Sequence, residues 1–469
     1  MTVVATKSKR SPYFFIDDID PVIANTLDKA LSYYPDDYER TNAYINGTWD
    51  GRERLFKRSR NGSWYFPMGL VERVKTVIEA FGDTITMMGI EDYQHPNDRG
   101  TVGLQWSSSI KLRDYQRDAF LSLLRSSLGC GVLSLPTSAG KTIIALKYAE
   151  YRNFPFMVLV HRKELMTQWQ KEIKKHLGVD AGIVGDKSKD YGDIASVCMV
   201  QTLQRDHSLI PTADVLIADE CHIVAAQTVY DVCMHSSSRF RCALSATPTR
   251  NDHSEMKIWA ACGTVVANIT VPDLIDAGYI ARPDFRFFRM PPVKISNPRE
   301  WAKVYREGIV ANEQRNAAIV QSAVELARSG RQVYIHVAHI DHGTYLKNKI
   351  EQDIKDTIFL TGKDKTSVRK KSIQDFKDGK IRVMISTLLK EGVDLPSLDA
   401  LIYAAGYKSS VMTIQTIGRA LRKTESKDNA IIVDFIDSGN KMIALHSDER
   451  FRTYCETYGK YCQLNVVNR

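Results

Sequence analysis

The chain has no run of ~18 consecutive apolar residues, the length a membrane-spanning helix needs, and Met1 to Pro12 lacks the apolar core of a signal peptide. Its eight cysteines (Cys130, Cys198, Cys221, Cys233, Cys242, Cys262, Cys455 and Cys462) form no Cys-x-x-Cys pair. That excludes the usual spacing of a structural zinc site and reads as scattered, reduced thiols. Charge of one sign is scarce too: 64 basic residues against 55 acidic give only +9, which by itself identifies no polyanionic partner. No Asp…Glu-x-Lys constellation stands in a context that would make a nuclease site. What these absences leave is a cytoplasmic chain of several domains. At ~150 residues per domain the prior is about three, and 43% hydrophobic with 25% charged residues supports ordinary cores.

Against this background Leu135-Pro136-Thr137-Ser138-Ala139-Gly140-Lys141-Thr142 stands out. An apolar run, Val132 to Leu135, precedes it and reads as a buried strand. Ile143-Ile144-Ala145-Leu146 follows and reads as the start of a helix. Strand, tight loop and helix N-terminus form the context in which backbone N–H groups cradle phosphates. In such a loop Lys141 is the cation for the β/γ-phosphates of ATP and Thr142 the hydroxyl for Mg²⁺. One departure is plain: Leu135 occupies the place of the usual first glycine.

A second apolar run, Val215-Leu216-Ile217-Ala218, ends in Asp219-Glu220-Cys221-His222. Two carboxylates at the end of a buried strand need a polar target, because unpaired buried charge is expensive. The Mg²⁺ beside Thr142 is that target: Asp219 is expected to hold the metal and Glu220 to orient the attacking water.

Periodicity predicts an α/β fold in three parts: an N-terminal α+β domain (1–108), a first α/β domain (109–290) and a second (291–469) with a helical tail. In the first part, Ile23 to Leu31 and Val71 to Phe81 have helical spacing. Asn42 to Ile45 and Arg54 to Phe56 read as strands around a turn at Asn46-Gly47, with another turn at Asn61-Gly62. Pro96 to Gly100 reads as a linker. Unbroken apolar strands follow at Val132 to Leu135, Phe156 to Val160, Ser196 to Val200, Val215 to Ala218 and Cys242 to Ser245. A second series runs Gln332 to Val337, Thr357 to Leu360, Val383 to Ser386, Leu401 to Ala404 and Ala430 to Phe435. Such strands, separated by helices, indicate parallel sheets covered on both faces. Only the first series carries the loop, so a nucleotide is expected in a cleft between the two.

The motifs also occur in a recognisable order. Leu112-Arg113-Asp114-Tyr115-Gln116, the phosphate loop, Val158 to Leu165 and Val200-Gln201-Thr202-Leu203 come first. The Asp-Glu-Cys-His box and Ser245-Ala246-Thr247-Pro248 follow. Ser386-Thr387 with Glu391-Gly392-Val393-Asp394, and Gln415-Thr416-Ile417-Gly418-Arg419-Ala420-Leu421-Arg422, complete the set. Over Leu112 to Asp437 the chain resembles the superfamily 2 helicases and translocases, which implies tandem RecA-like domains. The resemblance implies ATP contacts from Arg113, Gln116, Pro136, Thr137, Ser138, Ala139, Gly140, Lys141, Thr142, Gly392, Asp394 and Gln415. For Arg113 and Gln116 an amphipathic helix start fits the residues as well. Catalytic roles fall to Lys141, Asp219, Glu220, Arg419 and Arg422, the two arginines lying at i and i+3 on one helix face as finger residues. His222, Ser245 and Thr247 would couple the ATP site to the nucleic-acid face. Arg162, Thr202 and Thr387 would contact the nucleic-acid backbone, each fitting a turn or cap equally well, and such contacts are independent of sequence.

Within the superfamily, Tyr305 through Ala311-Asn312-Glu313-Gln314-Arg315-Asn316 and Leu274 through Pro283 resemble the branch holding XPB-like helicases and type I restriction motors. Gly47-x-Trp49-Asp50-Gly51 with Leu55-Phe56, then Phe66-Pro67-x-Gly69-Leu70, resembles the N-terminal domain of phage branch-migration helicases of the UvsW type. That implies an ATP- and Mg²⁺-dependent DNA helicase acting on forks, displacement loops and four-way junctions, monomeric and cytoplasmic (host cytoplasm if phage-encoded). Arg54, Lys57 and Arg58, in a basic cluster among Trp49, Phe56, Trp64, Tyr65 and Phe66, would grip DNA phosphates. A solvated hairpin edge fits that cluster equally. Two further classes remain compatible with the motifs: an RNA-directed helicase, and a nucleic-acid-binding protein that uses nucleotide only as a switch.

Overall fold

The computed structural model describes residues 2–8, 11–89, 101–107, 109–137, 139–221, 226–246, 254–388, 398–408, 411–423, 427–463 and 466–467. They divide into two compact units, residues 1–269 and 270–469.

The first unit begins with a five-stranded sheet in the order Lys57–Arg58, Trp64–Pro67, Tyr13–Ile16, Thr2–Lys7, Thr84–Met88. Its pairs are antiparallel except the last. Strict alternation sends Val3 and Ala5 inward and leaves Thr2, Val4 and Thr6 in solvent. Helices Pro21–Ala30 and Val71–Ala80 pack on the inner face through Ile23, Leu27, Val74 and Ile78. Asp20 starts the first of these helices by accepting from Val22 N–H at 2.7 Å, with Pro21 at its first position.

Both expected helices are present, but Asn42–Ile45 is a short helix rather than a strand. Thr41 caps it by accepting from Tyr44 N–H at 3.3 Å, and Gly47, at φ +69°, terminates it. Asn-Gly here ends a helix instead of turning a hairpin. Asn61-Gly62 does turn one, between Lys57–Arg58 and Trp64–Pro67. The N-terminal core also takes in Cys130, Met256 and Ala260 from the adjoining α/β layer. At that seam Gly69 lies so close to the Trp259 carbonyl that no side chain would fit.

The second sheet of this unit has eight strands. Their order is Ser188–Lys189, Ala181–Gly185, Ala195–Met199, Phe156–Val160, Val215–Ala218, Phe240–Ser245, Gly131–Ser134, Val265–Asn268. All pairs are parallel except the Ser188–Lys189 hairpin at the edge.

The second unit holds a seven-stranded, wholly parallel sheet. It runs Thr357–Leu360, Val383–Ser386, Val333–His336, Ala400–Tyr403, Asn429–Ile436, Arg282–Arg289, Val466–Val467. Each expected strand of both series is present. The boundary is not where composition put it: Arg282–Arg289, assigned above to the first domain, pairs along its whole length with Asn429–Ile436. Strand pattern alone says that a segment belongs in a sheet, not in which one. The tandem RecA-like architecture with a small α+β N-terminal part is otherwise as expected.

In this unit the segment Tyr305 to Asn316 forms scaffold. Asn312 caps helix Glu313–Arg328 by accepting from Arg315 N–H at 3.1 Å. Arg315, fully buried, binds Asp437 at 2.9 Å and the Ala404 carbonyl at 2.8 Å. Arg450 likewise binds Asp434 at 2.9 Å, and Tyr454 donates to the same carboxylate at 2.8 Å.

Candidate nucleotide and nucleic-acid site

Strand Gly131–Ser134 leads through the loop into helix Lys141–Arg152. Leu135 is buried, gives its N–H to the Ser245 carbonyl at 2.9 Å, and keeps an ordinary backbone conformation. The position therefore needs no glycine, which explains the departure. Gly140 does need to be glycine: its φ is +78°, and a Cβ there would collide with the Gln116 amide. Ser245 ends the strand beside Ser134, so it underlies the loop.

Gln116 is buried and braces this loop. Its Oε1 accepts from Arg113 N–H at 3.0 Å, and its Nε2 donates to the Ala139 carbonyl at 2.9 Å. Tyr115, which the sequence reading did not single out, donates its hydroxyl to the same carbonyl at 2.9 Å. Arg113 is exposed at the start of helix Asp114–Arg125.

Lys141 opens helix Lys141–Arg152 and is 9% exposed. Its ammonium lies 3.3 Å from Glu220 Oε1 and makes no hydrogen bond among the described residues. A buried ammonium lacking hydrogen bonds among the described residues, at the N-terminus of a helix, suits a phosphate. That is the observation by which these residues fit a nucleotide. Thr142 follows in the first turn.

Asp219 and Glu220 follow strand Val215–Ala218 directly. The Asp219 N–H bonds Leu159 O at 3.0 Å and the Cys221 N–H bonds Leu244 O at 3.0 Å, so the chain is pinned on both sides of Glu220. Glu220 itself has φ +47°, an uncommon conformation for a side-chain-bearing residue and one that recurs at functional sites. Burial raises the Asp219 carboxyl to about 6, and the neighbouring Glu220 charge adds to the rise. The Trp169 indole, donating to Asp219 Oδ2 at 2.8 Å, and the Lys141 cation oppose it. Trp169 lies beyond the motif ending at Leu165, on the same helix, and no sequence motif includes it. That helix, Lys163–Leu177, follows strand Phe156–Val160, and Trp169 is 50 residues from Asp219 in the chain. His161 was also missed: both ring nitrogens are buried without hydrogen bonds among the described residues, and burial lowers its pKa.

Arg162 and Thr202 follow the paired strands Phe156–Val160 and Ala195–Met199, which puts them on one carboxyl edge with Asp219. Open α/β sheets bind ligands at that edge. Thr387 follows Val383–Ser386 at the corresponding edge of the other sheet, its N–H bonding Leu360 O at 3.2 Å. Arg419 and Arg422 do not share a helix face as expected: helix Val411–Ala420 ends before Arg422, which makes a backbone bridge to Ile280 instead. Ser138, His222, Thr247, Gly392 and Asp394 lie outside the described residues, as do the side chains of Gln415 and Arg419. The linker expected at Pro96 to Gly100 lies outside them too.

Arg54 does not belong with the other basic residues of its cluster. It binds Asp50 at 2.5 Å and Asp28 at 3.2 Å, and its hydrogen bonds hold the Asp50 carboxyl down to about 2. Lys57, Arg58 and Arg60 are exposed. Among the described residues no cluster of His, Cys, Asp or Glu has the makeup of a metal centre, and no helix is long and apolar enough to cross a membrane.

Comparison with known proteins agrees with this geometry. The family "Type III restriction enzyme, res subunit" matches residues 109–250, and "Helicase conserved C-terminal domain" matches 315–424. The DNA 3'-5' translocase XPB2 of Sulfurisphaera tokodaii is 27% identical over 369 residues, 70% of this chain and 82% of its own length. The ATP-dependent DNA helicase uvsW of Enterobacteria phage T4 is 24% identical over 438 residues, 87% of this chain and 86% of its own. The solved structure of the ATP-dependent Type ISP restriction-modification enzyme LlaBIII bound to DNA shares the fold, with TM-score 0.58 and 15% identity over 82% of this chain and 33% of that one.

The two matched families make the chain an ATP-dependent helicase. More narrowly, the chain belongs to the superfamily 2 DNA helicases and translocases and stands close to the UvsW-like enzymes.

Proposed function

We propose that this helicase uses ATP and Mg²⁺ to remodel branched duplex DNA (forks, displacement loops and four-way junctions) in recombination, repair or replication. The observation that carries the ATPase part is the buried Lys141 ammonium, without a hydrogen bond among the described residues and 3.3 Å from Glu220. In this reading Lys141 neutralises the β/γ-phosphates, and Thr142 and Asp219 hold the magnesium, which supplies charge neutralisation when bound. Glu220 orients the attacking water. Arg419 and Arg422 offset charge on the transferred phosphoryl, so turnover depends on the second unit. Gln116 and Arg113 contact the adenine, and through the Gln116 bond to the Ala139 carbonyl that contact also sets the loop. Arg162, Thr202 and Thr387 grip phosphates without reading sequence.

The branched-DNA part leans on the kinship with uvsW and XPB2, named as a DNA helicase and a DNA translocase. ATP hydrolysis measured with fork, four-way junction, linear duplex, single strand and RNA tests it. Stimulation greatest by forks and junctions is expected; stimulation by RNA alone would replace this reading with the RNA-directed one.

A further inference from the structure

The N-terminal sheet has a second face. Its register places Lys57 opposite Tyr65, Tyr65 opposite Phe15, Phe15 opposite Thr6, and Thr6 opposite Met88. These residues form one row crossing all five strands, on the side away from Val3, Ala5, Phe14 and Phe66. Val4 and Met88 on this side are 43% and 52% exposed. Tyr65 meets Tyr13 edge-on at 5.4 Å and Phe15 at 5.7 Å, so the three half-buried rings make one continuous surface.

The chemistry of the face is one-sided. Thr2, Val4, Thr6, Tyr13, Phe15, Tyr65, Thr84, Thr86 and Met88 carry no charge, and Lys57 supplies a cation at the end of the row. Arg60 stands exposed in the turn of the same hairpin, whereas Arg58, opposite Trp64, belongs to the other face. A polyanion that also offers flat apolar rings complements rings with a cation at the end of their row. A duplex hides its base faces in the stack; an unpaired strand presents them. We infer that this face is a stacking platform for unpaired bases of single-stranded DNA, with Phe15 and Tyr65 as the stacking rings and Lys57 on the phosphates. This rests on the DNA-helicase reading and moves the N-terminal contact from Arg54, already held by two carboxylates, to the half-buried aromatic face. The platform also touches the ATPase layer: the Tyr13 hydroxyl lies 3.4 Å from that of Tyr230 on helix Ala226–His235.

The test uses the full chain and a fluorescent oligothymidylate, with a blunt DNA duplex as comparison. Replacing Phe15 and Tyr65 together by Ala should weaken single-strand binding by about tenfold or more per ring removed, with duplex binding little changed. Phe15→Tyr with Tyr65→Phe should restore it. Lys57→Ala should lower the salt slope on single strands by roughly 0.7. An iodouracil-containing oligonucleotide irradiated with the wild-type chain should crosslink to the peptides holding Phe15 or Tyr65, a readout independent of how the variants fold. Unchanged single-strand affinity in a folded double variant overturns the inference. So do equal losses on the duplex, or crosslinks that map elsewhere only. DNA-stimulated ATP hydrolysis by the wild type is scored separately, and its absence removes the helicase reading whatever the oligonucleotides show.

Discussion

The indole N–H of the buried Trp169 donates to Oδ2 of the half-buried Asp219 across 2.8 Å. The contact joins helix Lys163–Leu177 to the end of strand Val215–Ala218 and helps fix the plane of the carboxylate, on which the Glu220 backbone also acts. A hydrogen bond to a charged group in such a setting is worth about 1.5–3 kcal/mol.

Trp169→Phe keeps most of the packing and removes the donor. Turnover should fall by roughly tenfold to a hundredfold on that scale, and the magnesium concentration needed for half-maximal rate should rise. Rates across a magnesium titration check this. A variant with lower turnover and an unshifted magnesium dependence would make Trp169 a packing residue only.

Lys141→Ala should abolish ATP turnover while leaving most nucleic-acid binding intact, because the phosphate-facing cation is lost and the carboxyl-edge residues are not. Glu220→Gln should bind ATP and stall, since an amide does not act on water as the carboxylate does. Equilibrium ATP binding alongside steady-state hydrolysis distinguishes the two. Wild-type hydrolysis by Glu220→Gln would remove the catalytic assignment.

Arg419→Ala or Arg422→Ala should lower DNA-stimulated turnover by on the order of a thousandfold if either acts as an arginine finger. ATP affinity should change far less, because Lys141 and the loop are untouched. Full stimulated hydrolysis in both single variants contradicts the role given to these arginines.

Arg450→Met should destabilise the second unit by about 3–5 kcal/mol, the cost of leaving buried Asp434 without its cation. Urea unfolding followed by a probe in residues 270–469 reads the shift. Arg54→Ala, in a pair open to solvent, should move the unfolding of the first unit far less. Comparable shifts in the two variants would show that burial does not govern these pairs.

Much of the architecture was legible because unbroken apolar strands have few alternatives, and all ten expected strands of the two large sheets stand where periodicity put them. Boundaries were harder. Arg282–Arg289 reads as a strand in either domain, and only its pairing with Asn429–Ile436 assigns it. Asn46-Gly47 carries the same residues as a hairpin turn, yet Thr41 makes the preceding segment a capped helix. At the site, Lys141 and the Asp219–Glu220 pair announced themselves by residue type and spacing. Trp169 and Tyr115 act through one long-range hydrogen bond each, and nothing local marks such a partner. Arg54 and Lys57 look alike in sequence; Asp28 and Asp50 tell them apart only once the chain has folded.

The most direct test of the account is ATP-dependent strand separation by the full chain on a DNA fork and a four-way junction, beside a blunt DNA duplex and an RNA duplex, with Glu220→Gln as the stalled control. The account predicts that wild-type protein and ATP resolve the fork and junction much faster than the blunt duplex or RNA, and that Glu220→Gln resolves none. Resolution of RNA in preference to branched DNA, or of branched DNA at the same rate without ATP, would contradict it.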